Sequence, residues 1–181
     1  GGILNVTAVN SGIVGKDSVR IASGSITVKA GSDGIKSDND TNSAKGYVSI
    51  YGGELDVYAG KDCIQAESAL SLYGGSYNLS AGEYLFNFSA GKVMISGAEI
   101  CGVGNYLSGG GIDSSVPTVT VSSLSAMADS DIAVSTSSGE EIISGHTYCG
   151  AKLFFAASSG FSSGSEYSIA IGSETVSGIA K

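Results

Sequence analysis

A register of 22 residues repeats through the first half of the chain and constrains its fold more than any other feature. The clearest copy is 52–73, GGELDVYAGKDCIQAESALSLY. Residues 1–22 align with it without a gap, 23–51 align with a seven-residue insert, and 74–96 align with one extra residue. Repeats of this length cannot bury their apolar faces alone, so they indicate stacked solenoid turns.

Each copy contains three short alternating segments separated by Gly and Ser, which predicts three β-strands per turn. Because side chains alternate along a strand, one set points inward and the other outward. In the clearest copy the inward residues are Leu55, Val57, Ala59, Ile64, Ala66, Leu70 and Leu72. The outward residues are Glu54, Asp56, Tyr58, Gln65, Glu67, Ser71 and Tyr73. The predicted fold is an all-β parallel β-helix, whose Gly-Gly and Ala-Gly pairs form corners with positive φ.

Composition agrees with this fold. The chain has 28 glycines, one proline and 14% charged residues, as expected for an all-β protein with many tight turns. No apolar stretch is long enough to span a membrane. The sequence shows no signal peptide, and the repeat is already under way at Gly1. We therefore expect the natural protein to extend upstream and to carry its secretion signal there.

Charge and cysteine content exclude some partners. The net charge is −8 with only nine Lys and Arg, which argues against nucleic acid as a partner. Cys63, Cys101 and Cys149 form no CxxC pair, so neither a zinc site nor a disulfide framework is specified. The sequence is consistent both with a Cys101–Cys149 disulfide and with buried free thiols.

The repeat stops near Cys101, which divides the chain into three predicted parts. Residues 1–101 form the β-helix, and 102–117 (GVGNYLSGGGIDSSVP) form a Gly/Ser-rich link. Residues 118–181 alternate without the 22-residue register and predict four or five antiparallel strands. We interpret them as a small antiparallel cap that covers the last strand edges of the helix.

Acidic residues of the second turn fall above those of the third. Strands of adjacent turns lie about 4.8 Å apart, and two carboxylates at that distance repel by roughly 3–4 kcal/mol at an effective dielectric near 20. A bound Ca²⁺ would relieve this repulsion, because it accepts irregular oxygen coordination. The candidate ligands are Asp33, Asp38, Asn39, Asp40, Asp62 and Glu67.

The repulsion at this acidic edge can also be relieved without calcium. The carboxylates can splay into solvent, and Lys36 or Lys61 can neutralise part of the charge. Zinc is disfavoured because His146, the single histidine, lies far away in the cap.

Tyrosines form the other outward feature. Tyr51 and Tyr73 share one column, and rings beside amides suit the CH faces and hydroxyls of sugars. The candidate carbohydrate-binding residues are Tyr51, Tyr58, Tyr73, Gln65 and Tyr84. The alternative is that the tyrosines stack as a ladder and only stabilise the strands.

Residues 11–67 carry the runs GKDSV, GSDGIKSDND, KGYV and GKDCIQAE in order. They closely resemble the repeat core of calcium-binding parallel β-helix carbohydrate-binding proteins that fibre-degrading and gut anaerobic bacteria secrete. The tail runs SSGEEIISG and SGSEYSIAIG resemble the same family. The resemblance implies a right-handed β-helix similar in shape to pectate lyases, calcium at the acidic turns, and binding of plant cell-wall polysaccharide outside the cell.

Two positions depart from the family pattern. Cys63 stands where the family has Gly, as at Gly34. In the fourth turn, Tyr84 and Ser89 replace the acids, so the metal edge is not expected past Glu67.

Three function classes follow. The first is a binder of cellulose-like glucan or polygalacturonate without catalytic activity. The second is a pectate-lyase-like enzyme, which needs a strong base beside its calcium. Arg20 is the sole arginine and is aligned with Ser49 and Ser71, away from the acidic edge. Lys36 or Lys61 could substitute as the base, but no pattern singles them out. The third is a structural stalk or adhesin segment.

Overall fold

The computed structural model describes residues 1–88 and 91–181, and every regular element in these ranges is a β-strand. Five successive coils of the chain stack as a parallel β-solenoid with three strands per coil. In order, the solenoid strands are β1 (Ile3–Ala8), β2 (Ile13–Val14), β3 (Ser18–Ile21), β4 (Ser25–Ala30), β5 (Ile35–Ser37), β6 (Tyr47–Ile50), β7 (Glu54–Ala59), β8 (Ile64–Ala66), β9 (Ala69–Leu72), β10 (Ser76–Ala81), β11 (Tyr84–Phe88), β12 (Lys92–Ile95), β13 (Glu99–Gly104), β14 (Tyr106–Ser108) and β15 (Gly111–Ser114).

These strands form three parallel sheets. Sheet A contains β1, β4, β7, β10 and β13, sheet B contains β2, β5, β8, β11 and β14, and sheet C contains β3, β6, β9, β12 and β15. Leu4, Ile26, Leu55 and Tyr77 lie opposite one another in sheet A. The prediction of a parallel β-helix with about 22 residues per turn is therefore confirmed.

The core lies inside the three sheets, and the predicted alternation is confirmed. All seven residues expected inside the third turn are buried, and none of those expected outside is. Gly53 and Gly75 at the Gly-Gly corners have φ of 107° and 97°. A Cβ at Gly53 would lie 2.6 Å from the carbonyl oxygen of Gly24. Gly60 does not share the positive φ; a side chain is excluded there by the carbonyl of Gly31.

The segment predicted as a link is a fifth solenoid turn. Strands β13, β14 and β15 fall in or across 102–117 and pair in parallel with β10, β11 and β12. The repeat is hidden because Gly102 lies opposite Leu79, a core position that Val28 and Val57 fill in earlier turns. Gly102 has Leu85 beside it, since an added Cβ would lie 3.1 Å from a Leu85 methyl group.

The C-terminal region is antiparallel, as predicted. Its strands are β16 (Thr118–Ala126), β17 (Ser130–Ser135), β18 (Glu141–Thr147), β19 (Ala151–Ala157), β20 (Glu166–Ile171) and β21 (Glu174–Ile179). β19 pairs with β13 and then with β16, so two strands of the cap extend sheet A. The others form sheet D in the order β18-β17-β20-β21. Among the described residues, β14 and β15 are the last strands of sheets B and C, so the cap pairs only with the edge of sheet A.

The cap packs against both the interior and the outer face of the solenoid. Phe155 of β19 meets Phe86 edge-on, with ring centroids 6.1 Å apart. On the outer face, the backbone N–H of His146 donates to Asn78 Oδ1 at 2.9 Å, and the Tyr148 N–H donates to Ser80 Oγ at 3.2 Å. The outer face of sheet A is therefore partly covered by the cap.

The sequence left the state of the cysteines open, and it predicted that no segment spans a membrane. Cys63, Cys101 and Cys149 are free thiols, and burial raises the pKa of Cys101 to about 12. Residues 1–88 and 91–181 contain no helix that is long and apolar enough to cross a membrane.

Candidate functional site

The predicted metal ligands lie on two sides of sheet B. Asp33 and Asp62 precede β5 and β8, whereas Asp38 and Glu67 follow them. Five residue steps of extended chain span about 16 Å. The six candidate ligands therefore form two separate groups, and they do not surround a single ion.

The Asp33–Asp62 group is buried and bonded to the protein. Asp33 Oδ2 lies 3.3 Å from Lys36 Nζ and accepts from the Ser11 hydroxyl at 3.4 Å. Asp62 accepts from the Tyr84 backbone N–H at 3.1 Å and from Asn87 Nδ2 at 2.7 Å. Burial raises the pKa of Asp62, and these two hydrogen bonds partly offset that effect. A raised pKa and a lysine partner thus reduce the repulsion that the sequence led us to expect.

The second group surrounds the insert between β5 and β6. Asp38 lies 3.4 Å from Lys16 Nζ. The Asn39 amide oxygen accepts from the N–H groups of Thr41 and Asn42, and its Nδ2 donates to Asp17 at 2.7 Å. Through these hydrogen bonds, Asn39 stabilises the conformation of the insert.

A cleft beside the insert has a volume of about 590 Å³. Its lining residues are Asn39, Asp40, Thr41, Asn42, Ser43, Glu67 and Ser68. All seven carry side-chain oxygen atoms, the donors that Ca²⁺ prefers. Only two of them are carboxylates, and the described residues contain no group of three His, Cys, Asp or Glu side chains placed to hold a metal ion. Ser89, which the register places in the same column, lies outside the described residues.

The predicted carbohydrate-binding residues lie on separate surfaces. Tyr51 and Tyr73 follow β6 and β9, at the corner between sheets C and A. Tyr58 lies within β7 of sheet A, and Gln65 within β8 of sheet B. Tyr84 begins β11 at the corner between sheets A and B. The structure brings Tyr51 and Tyr73 together and places Tyr58 and Tyr84 elsewhere.

Tyr51 and Tyr73 form a short exposed ladder. Their ring centroids are 5.1 Å apart with an interplanar angle of 10°, and the two residues are 52% and 46% exposed. Each ring covers one face of the other. Ala22 and Ser96 occupy the same column in the neighbouring turns, as the pairing of the adjacent strands shows. Because these flanking residues are small, the outer face of each ring remains open.

A second ladder contains a tyrosine that the candidate set from the sequence did not include. Tyr106 stacks on Tyr84, with centroids 4.8 Å apart at 30°, and is 56% exposed. The 22-residue register could have identified Tyr106, since it follows Tyr84 by 22 residues, the same interval that separates Tyr51 from Tyr73.

Tyr58 is covered by the cap. Its ring centroid lies 6.1 Å from that of Tyr148. The Tyr148 hydroxyl donates to Asp56 Oδ2 at 2.8 Å, and Lys29 Nζ lies 5.5 Å from the centre of the Tyr148 ring. No periodic pattern pointed to Tyr148, because it lies outside the repeat.

His146, the single histidine of the chain, lies between two aspartates of the cap. Its Nδ1 is 2.9 Å from Asp131 Oδ1 and its Nε2 is 3.1 Å from Asp129 Oδ1. The hydrogen bond to Asp131 is the main cause that raises the pKa of His146 above 6.5; burial opposes it, and Asp129 adds to it. A raised pKa in the folded state means that the protonated ring stabilises the fold at low pH, and that this contribution is lost as the pH rises through the folded-state pKa.

We expect His146 to titrate with a midpoint above 6.5, and Asp131→Asn to move that midpoint down. NMR of the imidazole is unambiguous because the chain has one histidine. Asp113→Asn, on β15 of the solenoid, serves as the control and should leave the midpoint unchanged. A midpoint at or below the usual value in the parent protein, or an unshifted one in Asp131→Asn, would contradict the assigned hydrogen bond.

Arg20 and Lys36, two of the candidate bases of a lyase, are engaged elsewhere. Arg20 lies opposite Ser49 in sheet C, as the alignment predicted, and it donates to the Tyr47 hydroxyl. Its guanidinium also lies over the Tyr47 ring, 5.2 Å from the centroid. Lys36 is paired with Asp33. Arg20 therefore lies on sheet C, whereas the candidate metal ligands flank strands of sheet B.

A parallel β-solenoid that presents stacked tyrosines and corners rich in hydroxyl, amide and carboxylate groups defines a class of protein suited to polyhydroxylated polymers. The chain belongs to the family of carbohydrate-binding domain-containing proteins, whose model matches residues 1–152. No curated protein and no solved structure shows a significant match. The family match supports carbohydrate binding and a polysaccharide partner.

Proposed function

We propose that the protein binds plant cell-wall polysaccharide without cleaving it, and that the Tyr51–Tyr73 ladder is its main surface for neutral, cellulose-like glucan. One observation carries the proposal: two exposed parallel rings whose outer faces are open. Sugar CH groups pack on such faces, while hydroxyl groups remain free to bond polar neighbours. Membership of a carbohydrate-binding family supports binding over catalysis. Because the proposed ligand is an extracellular polymer, we also propose that the protein acts outside the bacterial cell.

The test is retention on insoluble cellulose, combined with an assay for cleavage of polygalacturonate. We expect the protein to be depleted from solution by cellulose and to release no unsaturated oligouronides. If unsaturated oligouronides accumulate with time, the lyase function replaces the binding function. If cellulose retains no more protein than an inert matrix does, the glucan proposal is wrong.

We further propose that Ca²⁺ binds in the cleft beside the insert. Asp40 and Glu67 would supply carboxylate oxygens there, and Thr41, Ser43 and Ser68 would supply hydroxyl oxygens. Asp33 and Asp62 are less suited, because both are buried, at 5% and 4% exposure, whereas Glu67 is half-buried and accepts a hydrogen bond from Gln65 at 3.3 Å. A cation at this corner would give an acidic protein a means to hold polygalacturonate, which its net charge of −8 otherwise repels.

Calcium is expected to raise the melting temperature. A ligand that binds only the folded state stabilises it by about 2.7 kcal/mol at a concentration of 100 Kd, which is a rise of roughly 5–11 °C for a chain of 181 residues. The rise should disappear with chelator and in the Asp40→Asn/Glu67→Gln variant, and it should persist in Asp33→Asn. Thermal melts that do not change with saturating calcium or with chelator would remove this proposal, whereas a rise lost only in Asp33→Asn would move the ion to the other group.

The stalk alternative also has an observation in its favour, since the two rings of each ladder stack on each other. A purely structural ladder would lower stability when removed and leave polymer retention unchanged. Stability and retention must therefore be measured on the same variants.

A further inference from the structure

A groove on the outer face of sheet A is a polar surface that the Tyr51–Tyr73 ladder does not include. It crosses β4, β7 and β10 and has a volume of about 290 Å³. Its polar lining residues are Ser25, Thr27, Glu54, Asp56, Ser76 and Asn78. We propose that this sheet A groove is a subsite for a sugar unit of a neutral polysaccharide, held by hydrogen bonds from its hydroxyl groups to Glu54 and Asp56. The inference rests on the proposed carbohydrate function and adds a site and a ligand class to it.

The size and chemistry of the groove suit a small polar ligand. Its volume of about 290 Å³ lies just below the range of about 300–1,000 Å³ found for small-molecule sites, so it fits a short stretch of a glycan. Ser25, Glu54 and Ser76 lie side by side in one column of the sheet. Thr27 and Asp56 lie in the next outward column with Asn78. The floor therefore alternates hydroxyl, amide and carboxylate groups at about 4.8 Å intervals across the strands.

The acceptors at one end of the groove are held rigidly by the cap. Asp56 Oδ1 accepts from Asn78 Nδ2 at 2.8 Å, and Oδ2 accepts from the Tyr148 hydroxyl at 2.8 Å. Asn78 Oδ1 in turn accepts from the backbone N–H of His146 at 2.9 Å. Each carboxylate oxygen has a second lone pair for a ligand hydroxyl. Because the side chains are fixed before binding, less conformational entropy is lost when a sugar binds. Tyr148 is thus a positioning residue, which acts through Asp56.

The charge of the groove selects against acidic sugars. Glu54 is exposed and Asp56 is half-buried, and the lining residues include no Lys or Arg. Two carboxylates repel a uronate and accept readily from neutral hydroxyls, because hydrogen bonds to a charged acceptor are stronger than those to a neutral one.

The sheet A groove also lies close to the Tyr51–Tyr73 ladder along the sequence. Glu54 follows Tyr51 by three residues and Ser76 follows Tyr73 by three residues, across the Gly-Gly corners. A glycan that stacks on the ladder at the corner can therefore continue onto the first residues of the groove.

Calorimetric titration with soluble cellohexaose and with hexagalacturonate tests the subsite. We expect the parent protein to bind cellohexaose more tightly than hexagalacturonate in the absence of calcium. Glu54→Ala should weaken cellohexaose binding about tenfold, the loss expected for one hydrogen bond to a charged group. Tyr148→Phe removes the hydroxyl that holds Asp56 in place and should weaken binding by a similar factor. Tyr47→Phe, which removes a hydroxyl bonded to Arg20 on sheet C, is the matched control and should bind like the parent.

Melting temperatures separate positioning from folding. Tyr148→Phe keeps the ring that contacts Tyr58 and Lys29, so its melting temperature should stay close to that of the parent while its affinity falls. Parent-like affinity in both Glu54→Ala and Tyr148→Phe, tighter binding of hexagalacturonate, or no binding of cellohexaose by the parent would each overturn the subsite. If cellulose still retains the protein in any of these cases, only the subsite fails; loss of retention as well would overturn the proposed function itself.

Discussion

Removal of the cap is expected to abolish cooperative folding of the solenoid. A fragment of residues 1–115 keeps all five turns, since β15 ends at Ser114. It loses β19, which pairs with β13 along the edge of sheet A, and Phe155, which is 1% exposed against the solenoid core. An open strand edge beside an exposed apolar interior favours aggregation. Size-exclusion chromatography and urea unfolding of the fragment should show aggregates or a non-cooperative transition.

A single substitution tests the same role of the cap through a smaller loss of stability. Phe155→Ala should reduce the free energy of unfolding by about 3–5 kcal/mol, the usual cost of deleting a buried phenylalanine. Ile179→Ala, at a site in the cap that is 57% exposed, should change it by less than about 0.5 kcal/mol. A monomeric 1–115 fragment that unfolds cooperatively, together with a Phe155→Ala variant as stable as the parent, would show that the cap does not support the solenoid.

Much of the solenoid was predictable because its information is local and repeated. Alternation within one strand identifies the residues that point inward, and the aligned copies identify which residues lie opposite one another. The stacking of Tyr51 on Tyr73 and the column that joins Asp33 to Asp62 both follow from this register. The fifth turn was missed because Gly102 replaces a bulky core residue and so removes the apolar signal of that strand.

The arrangement around the cap was not predictable from the sequence. The bonds from His146 to Asn78 and from Tyr148 to Ser80 join residues 68 positions apart, and no periodic pattern relates the two segments. The cover over Tyr58 and the fixed position of Asp56 depend on these contacts. The surroundings of the acidic residues were also only partly predictable from the sequence. The register places these residues above one another, and the pairing of Lys36 with Asp33 was one alternative that it left open. It did not show the hydrogen bonds from Asn87 to Asp62 and from Asn39 to Asp17.

Removal of the Tyr51–Tyr73 ladder is expected to have the largest effect on binding. Stacking of a sugar on an aromatic ring depends on the face of the ring, so the Tyr51→Ala/Tyr73→Ala variant loses both open faces at once. We expect its affinity for cellulose to fall at least about tenfold, the effect of losing roughly 1.4 kcal/mol. Both side chains are about half exposed, so the fold should survive the change. The Tyr51→Phe/Tyr73→Phe variant keeps the rings and is the matched control.

The most direct test of carbohydrate binding through this ladder is a set of depletion isotherms on insoluble cellulose for the parent, the double alanine variant and the double phenylalanine variant. Each protein is checked for a parent-like thermal melt before it is mixed with the polymer. We predict saturable binding by the parent and by the phenylalanine variant, and an isotherm for the alanine variant that is at least about tenfold weaker. A folded alanine variant whose isotherm overlays that of the parent would contradict binding through the ladder.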